Sequence, residues 1–325
     1  MDPKLLAELK KGLQDTGVQD LIASITKATD NSTGFSTRQS LSDIVEDLTR
    51  RNTPLFDTLA REDVINSIHE WDSITSLATG QSSYAGAIDS VGSDSDAIIT
   101  RLNEGVKYYR TTTTVGQFTD AISRPQLKAQ TTIDEKAIEV VRQDLEFDII
   151  NGAAAGDNIR GINDVIGTFA DANKSISNGS AALTSTANLD ILQKNIVESG
   201  GLATNFLFNA DDRIAFKNLF DNIVRYNEPQ TTNEFGYEVQ QYMSSFGKVD
   251  VMYDQFVAAK NGGNSTAFVL DMRSWALGEP TVNGASGLAV QDLAKTGPAN
   301  TKLINYYGLL VYRAADWNGR LTEIA

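Results

Sequence analysis

The chain has one histidine, His69, and no cysteine, and these two counts limit the chemistry it can carry. Without cysteine there is no disulfide, no thiol nucleophile and no cysteine metal cluster. With a single histidine, a two-histidine zinc or iron site cannot be assembled within one chain. The densest group of reactive side chains is His69-Glu70-Trp71-Asp72, which has the residue types of a metal or acid/base site. In a strand, alternation puts Glu70 and Asp72 on one face and His69 on the other. A reactive site needs its groups to converge, and these do not. Asp211-Asp212 is a second carboxylate pair, but it follows Asn209 in what reads as the first turn of a helix, where the helix dipole favours negative charge. The run Gly152-Ala153-Ala154-Ala155-Gly156-Asp157 matches neither the dinucleotide fingerprint nor the phosphate loop. Asn31, Asn178 and Asn264 open glycosylation-type triplets, which carry no weight without a secretory signal. No catalytic residue, metal site or cofactor is expected, and a hydrolase using Asp211 and Asp212 is the remote alternative.

Composition points the same way. At 325 residues, with 41% hydrophobic and 22% charged residues, the chain can bury a sizeable core in one or two domains. No stretch approaches the roughly 20 apolar residues that span a membrane. The opening MDPKLLAELKKGL is amphipathic and charged rather than secretory, so a soluble protein made in the cytoplasm is expected. The net charge of −14 argues against a nucleic-acid reader, whose affinity comes from neutralising phosphates.

The elements that would position any site follow from periodicity. Residues 1–36 read as an arm with helical stretches at 3–13 and 18–28. A helix starting at Ser40-Leu41-Ser42-Asp43 stops near Asn52-Thr53-Pro54, because the residue before proline avoids helical angles. Residues 55–59 continue as a short apolar turn. Residues 66–76 and the β-branched, aromatic run from Val106 to Val115 read as two strands around a Ser/Gly/Asp-rich tip, which makes a hairpin far longer than usual. Residues 131–153 form the clearest helix, on the order of 30 Å long. Thr132 and Glu135 have capping-box spacing, Ile138, Val141, Leu145 and Ile149 share a stripe, Glu139, Arg142 and Glu146 lie off it, and Gly152 is a stop. Further on, 189–199 is helical, 205–208 is a buried strand, Asn209 caps a helix through Ile223, and 247–253, 267–271 and 302–313 are strands.

In this order the chain resembles a known family. The residues that carry the likeness are Asp43 through Phe56, His69-Glu70-Trp71, Thr113 through Arg142-Gln143-Asp144-Leu145-Glu146, and Arg160-Gly161-Ile162. Asn205-Phe206-Leu207-Phe208-Asn209, Ser245-Phe246-Gly247-Lys248-Val249 and Trp275-Ala276-Leu277-Gly278 follow in sequence. Over residues 37–325 it is similar to the major head proteins of tailed bacteriophages, with the Hong Kong 97-type capsid fold.

The resemblance implies an α+β chain: an N-terminal arm with short helices (1–65), an extended β-hairpin loop (66–118) and a peripheral domain (119–184) carrying the spine helix 131–153. An axial domain (185–300) and a β-rich return to the peripheral domain (301–325) complete it. It implies a virion protein that self-assembles as hexamers and pentamers into an icosahedral shell around double-stranded DNA. Portal, scaffolding protein and maturation protease would be its partners, with no membrane. An encapsulin-like nanocompartment shell is the nearest alternative. Trp71, Tyr108 and Tyr109 on the loop strands, Tyr84 at its tip and Arg124 at its base are the candidate inter-subunit contacts, since aromatics and Arg dominate interfaces. Packing of these tyrosines within their own hairpin is the other reading.

Overall fold

The computed structural model describes residues 52–77, 97–123, 129–154, 156–220, 241–257, 264–282, 286–295 and 297–325. The helical stretches expected at 3–13 and 18–28, the helix expected from Ser40, the loop tip with Tyr84, and Arg124 lie outside these residues.

Residues 55–59, expected as an apolar turn, instead form most of a short helix, α1 (Pro54–Thr58). Proline is at home in the first helical turn, where its missing N–H would have no partner anyway. Strand β1 (Ala60–Val64) follows, then β2 (Ile68–Leu77), β3 (Ala97–Gly105) and β4 (Lys107–Gly116). The long hairpin is present, but its second strand differs from the expected one. β2 pairs antiparallel with β3, from Ile68 opposite Gly105 to Leu77 opposite Ala97. β4 leaves the hairpin and pairs with the body. Its odd-numbered residues turn inward, Thr113 and Val115 being buried, which a two-stranded ribbon could not provide.

The partner of β4 is β12 (Ala299–Tyr312), the longest strand among the described residues. β12 pairs with β4 along 299–308 and with β11 (Leu288–Asp292) along 302–306, so these two flank it on opposite edges. Residues 309–312 pair with β10 (Trp275–Pro280), and β10 pairs in parallel with β1. A short helix, α2 (Gln117–Ile122), leads from β4 towards the spine helix, α3 (Ala129–Asn151). α3 begins two residues earlier than expected, which moves Thr132 and Glu135 into the helix and removes their capping role. Val141, Leu145 and Ile149 are buried against Phe56, Ile304, Tyr306 and Leu310, and Ile138 packs against the same core. The helix ends at Gly152, where a β-carbon would lie 1.9 Å from the Ile159 carbonyl oxygen.

A second sheet has the order β5-β13-β9-β6-β8-β7, formed by Ser175–Ala181, Gly319–Ile324, Ser265–Leu270, Asn205–Phe208, Gly247–Tyr253 and Gln241–Ser244. Helix α4 (Ile162–Phe169) precedes it; α5 (Ala187–Glu198) and α6 (Ala210–Asn218) belong to it. Its core is separate, with Leu192, Ile196, Phe206, Phe208, Phe216 and Val269 among its buried members. Sheet membership therefore divides the chain differently from the expected boundaries. β10 and β11, within 185–300, join the first sheet, and β13, within the 301–325 return, joins the second. β5, within 119–184, also belongs to the second sheet.

Candidate assembly interface

The groups singled out for chemistry are held apart. Glu70 and Asp72 share one face of β2 and both approach Arg101 on β3, at 3.6 and 3.0 Å. His69 lies on the opposite face, 3.6 Å from Glu62 and beside the Trp71 ring. Asp212 is buried and accepts the Ser265 hydroxyl at 2.6 Å, whereas Asp211 is exposed, so the two carboxylates do not form a pair. Asn209 caps α6 as expected, accepting the Asp212 N–H at 2.7 Å. Among the described residues, no group of His, Asp and Glu could hold a metal ion, and no helix is long and apolar enough to cross a membrane.

What these side chains do is hold elements in place. At the root of the hairpin, the Trp71 indole donates to the Tyr312 carbonyl at 2.8 Å, with its ring edge-on to Tyr312. The Ser73 hydroxyl donates to the Arg313 carbonyl at 3.0 Å. Arg160 pairs with Glu104 on β3 at 2.9 Å and with Asp164 at 3.2 Å. Burial and the nearby Glu104 push the Tyr312 phenol up to about 12. β2 and β3 are thus tied to the first sheet at one end.

The spine helix is fastened by buried carboxylates. Asp134 accepts the Thr113 hydroxyl at 2.6 Å, the Gln130 amide at 2.8 Å and the Lys302 ammonium at 2.9 Å, joining α3 to β4 and β12. Burial raises its pKa, but these three donors outweigh burial and hold it below the usual range. The Tyr109 phenol donates to Asp148 at 2.7 Å and accepts the Ile159 N–H at 2.9 Å. Glu146, expected off the buried stripe, is fully buried, and its two oxygens accept the N–H groups of Leu55 and Phe56, both at 2.7 Å. Burial and the neighbouring Asp254 push its carboxyl up to about 9. Sequence patterning missed it because the helical stripe placed it outward. Ile150, four residues on and equally buried, was the available signal that the buried face is wider.

The proposed contact residues thus fall into two groups. Trp71 and Tyr109 have their polar atoms engaged within the chain. Tyr108 stacks on Tyr307 at 4.5 Å yet remains 41% exposed. Sequence reading did not single out the hairpin's isoleucines. Ile74 and Ile99 sit opposite each other and are 63% and 62% exposed, with Ile68 and Ile98 also exposed. Each lone exposed apolar residue is ordinary, but the facing pair Ile74–Ile99 on a two-stranded ribbon forms a small patch that another surface can cover.

This arrangement is the fold of capsid and encapsulin shell subunits. The chain is similar to the capsid of a native GTA particle, with TM-score 0.67 and 14% identity over 92% of this chain and 99% of the other. It is similar to the holo-SrpI encapsulin complex from Synechococcus elongatus, with TM-score 0.61 and 13% identity over 88% and 92%. A chain from Mycobacterium phage Bobi gives TM-score 0.60 and 12% identity over 88% and 95%. No curated protein matches the chain. The family model of the SU10 major capsid protein matches residues 25–325, and the chain belongs to that family. It is a phage capsid shell protein.

Proposed function

We propose that the chain builds its shell by laying the β2–β3 hairpin over a neighbouring subunit. The observation that carries this reading is the exposed Ile74–Ile99 pair on a ribbon whose root Trp71 ties to Tyr312 of its own body. Tyr108, with its exposed edge, is a further contact, as are Tyr84 and Arg124. In this reading Trp71 and Tyr109 act indirectly, by aiming the hairpin and the spine. The first sheet with α3 is the peripheral part. The six-stranded sheet is the axial part, meeting its copies around hexamer and pentamer axes. Many modest contacts summed over a closed shell replace one strong interface.

The shell encloses double-stranded DNA, and a net charge of −14 suits a wall that does not bind the genome tightly. Assembly takes place in the host cytoplasm, with a portal, a scaffolding protein and a maturation protease as partners. The chain acts without catalysis of its own. Expressing it and imaging the product by negative stain tests the assembly reading. Closed shells or six-fold rings are expected, and a uniform monomer would count against it.

A further inference from the structure

The spine helix α3 has two apolar faces. One is buried, through Val141, Leu145 and Ile149. The other consists of Ile133, Val140 and Phe147, which are 42%, 51% and 50% exposed. These three are spaced by heptads, and a straight helix drifts only about 20° per heptad, so they lie on one stripe. At 1.5 Å per residue the stripe is about 21 Å long. Between its apolar residues lie Lys136 and Asp144. Lys136 pairs with Glu139 of its own helix at 2.9 Å. Asp144 is exposed, burial raises its pKa, and no cation among the described residues offsets that.

We propose that this stripe is a contact between two copies of the chain, with their spine helices packed antiparallel about a two-fold axis at Val140. The order of residues is self-complementary in that arrangement. Val140 meets its own copy, Ile133 meets Phe147 of the second copy, and Lys136 meets Asp144 of the second copy. Each apolar residue finds an apolar partner, and each Asp144 gains a cation. A parallel pairing would set Lys136 on Lys136 and Asp144 on Asp144, and facing like charges are costly. Antiparallel helices also oppose their dipoles favourably. An isologous contact has this reciprocal pattern, in which residue i meets j and j meets i. Two heptads bury less than the roughly 1,200 Å² of a stable complex, so the pair forms as one contact among many in a shell rather than as a separate dimer. The pairing therefore rests on the shell reading.

The absence of cysteine makes the register directly readable by cross-linking. Particles of the Val140→Cys chain, treated with a mild oxidant, are expected to run as covalent dimers on a non-reducing gel. Phe147→Cys particles should stay monomeric, because the two copies of residue 147 would lie about 21 Å apart along the axis. The Ile133→Cys/Phe147→Cys double variant should link again. If Val140→Cys blocks assembly, this double variant tests the same register in its place. Adding Lys136→Glu to Val140→Cys should lower the yield of covalent dimer several-fold, and adding Asp144→Lys as well should restore it. Val140→Cys particles whose thiols stay reduced, or three constructions that all link alike, overturn the pairing and leave the shell reading standing. A parent chain that forms no particles under negative stain overturns both.

Discussion

Glu146 links the protonation of one buried carboxyl to the stability of the subunit. Its folded pKa of about 9 lies above the ordinary carboxylate value because burial and Asp254 oppose its charge. A group raised in this way contributes stability that is fully present below its unfolded value and lost as pH rises through its folded value. Stability should therefore fall from about pH 4.5 towards pH 9, measured as Tm of the subunit against pH. Glu146→Gln should flatten that slope. It should also cost about 1–3 kcal/mol at neutral pH, because an amide nitrogen cannot accept one of the two N–H groups of α1. An unchanged slope in the variant would show that other groups control the pH dependence. Ile150 was the one local signal that Glu146 is buried; what buries it was not legible in the sequence, because helical periodicity reports a face and not its partner. What covers Glu146 is α1, about ninety residues away in the chain.

At the scale of elements, strand existence was easier to read than strand partnership. β2, β4, β6, β8, β9 and β12 follow from β-branched and aromatic runs, and α3 from its stripe. The partner of β2 did not follow, because β3 lies beside the Ser/Gly/Asp-rich tip and was read as part of it. Position in the sheet decided the matter: β4 buries Thr113 and Val115 against the core, and β3 extends as a ribbon. Two changes test how these elements are held. Trp71→Phe keeps a ring against Tyr312 but removes the bond to its carbonyl, a loss of about 1 kcal/mol. Amide exchange in β2 and β3 should speed up while the spine helix stays protected. Gly152→Ala puts a β-carbon into the Ile159 carbonyl, and should cost about 3 kcal/mol in thermal or denaturant unfolding. A neutral result there would mean the segment after the spine helix can shift freely.

For the whole molecule, the hairpin reading predicts that Ile74→Asp with Ile99→Asp leaves a folded subunit, since both side chains are exposed, yet prevents shells from closing. Circular dichroism checks the first half and negative stain the second; normal shells would remove the hairpin's proposed role. The sequence by itself determined what this protein does not carry: no cysteine and one histidine leave little reactive chemistry. It also determined the order of hairpin, spine helix and mixed α/β segment, because hydrophobic period and helix stops are local properties of the chain. The tertiary structure alone decided which strands pair, that β13 lies between β5 and β9 in the second sheet rather than in the first, and that Asp212 is buried while Asp211 is not. It also decided that Trp71 and Tyr109 are engaged within the chain while Ile74, Ile99 and a second stripe on the spine helix are left uncovered. Those outcomes depend on contacts between residues far apart in sequence, to which a periodic pattern is blind: it marks a residue as apolar or polar, and only packing determines what covers it.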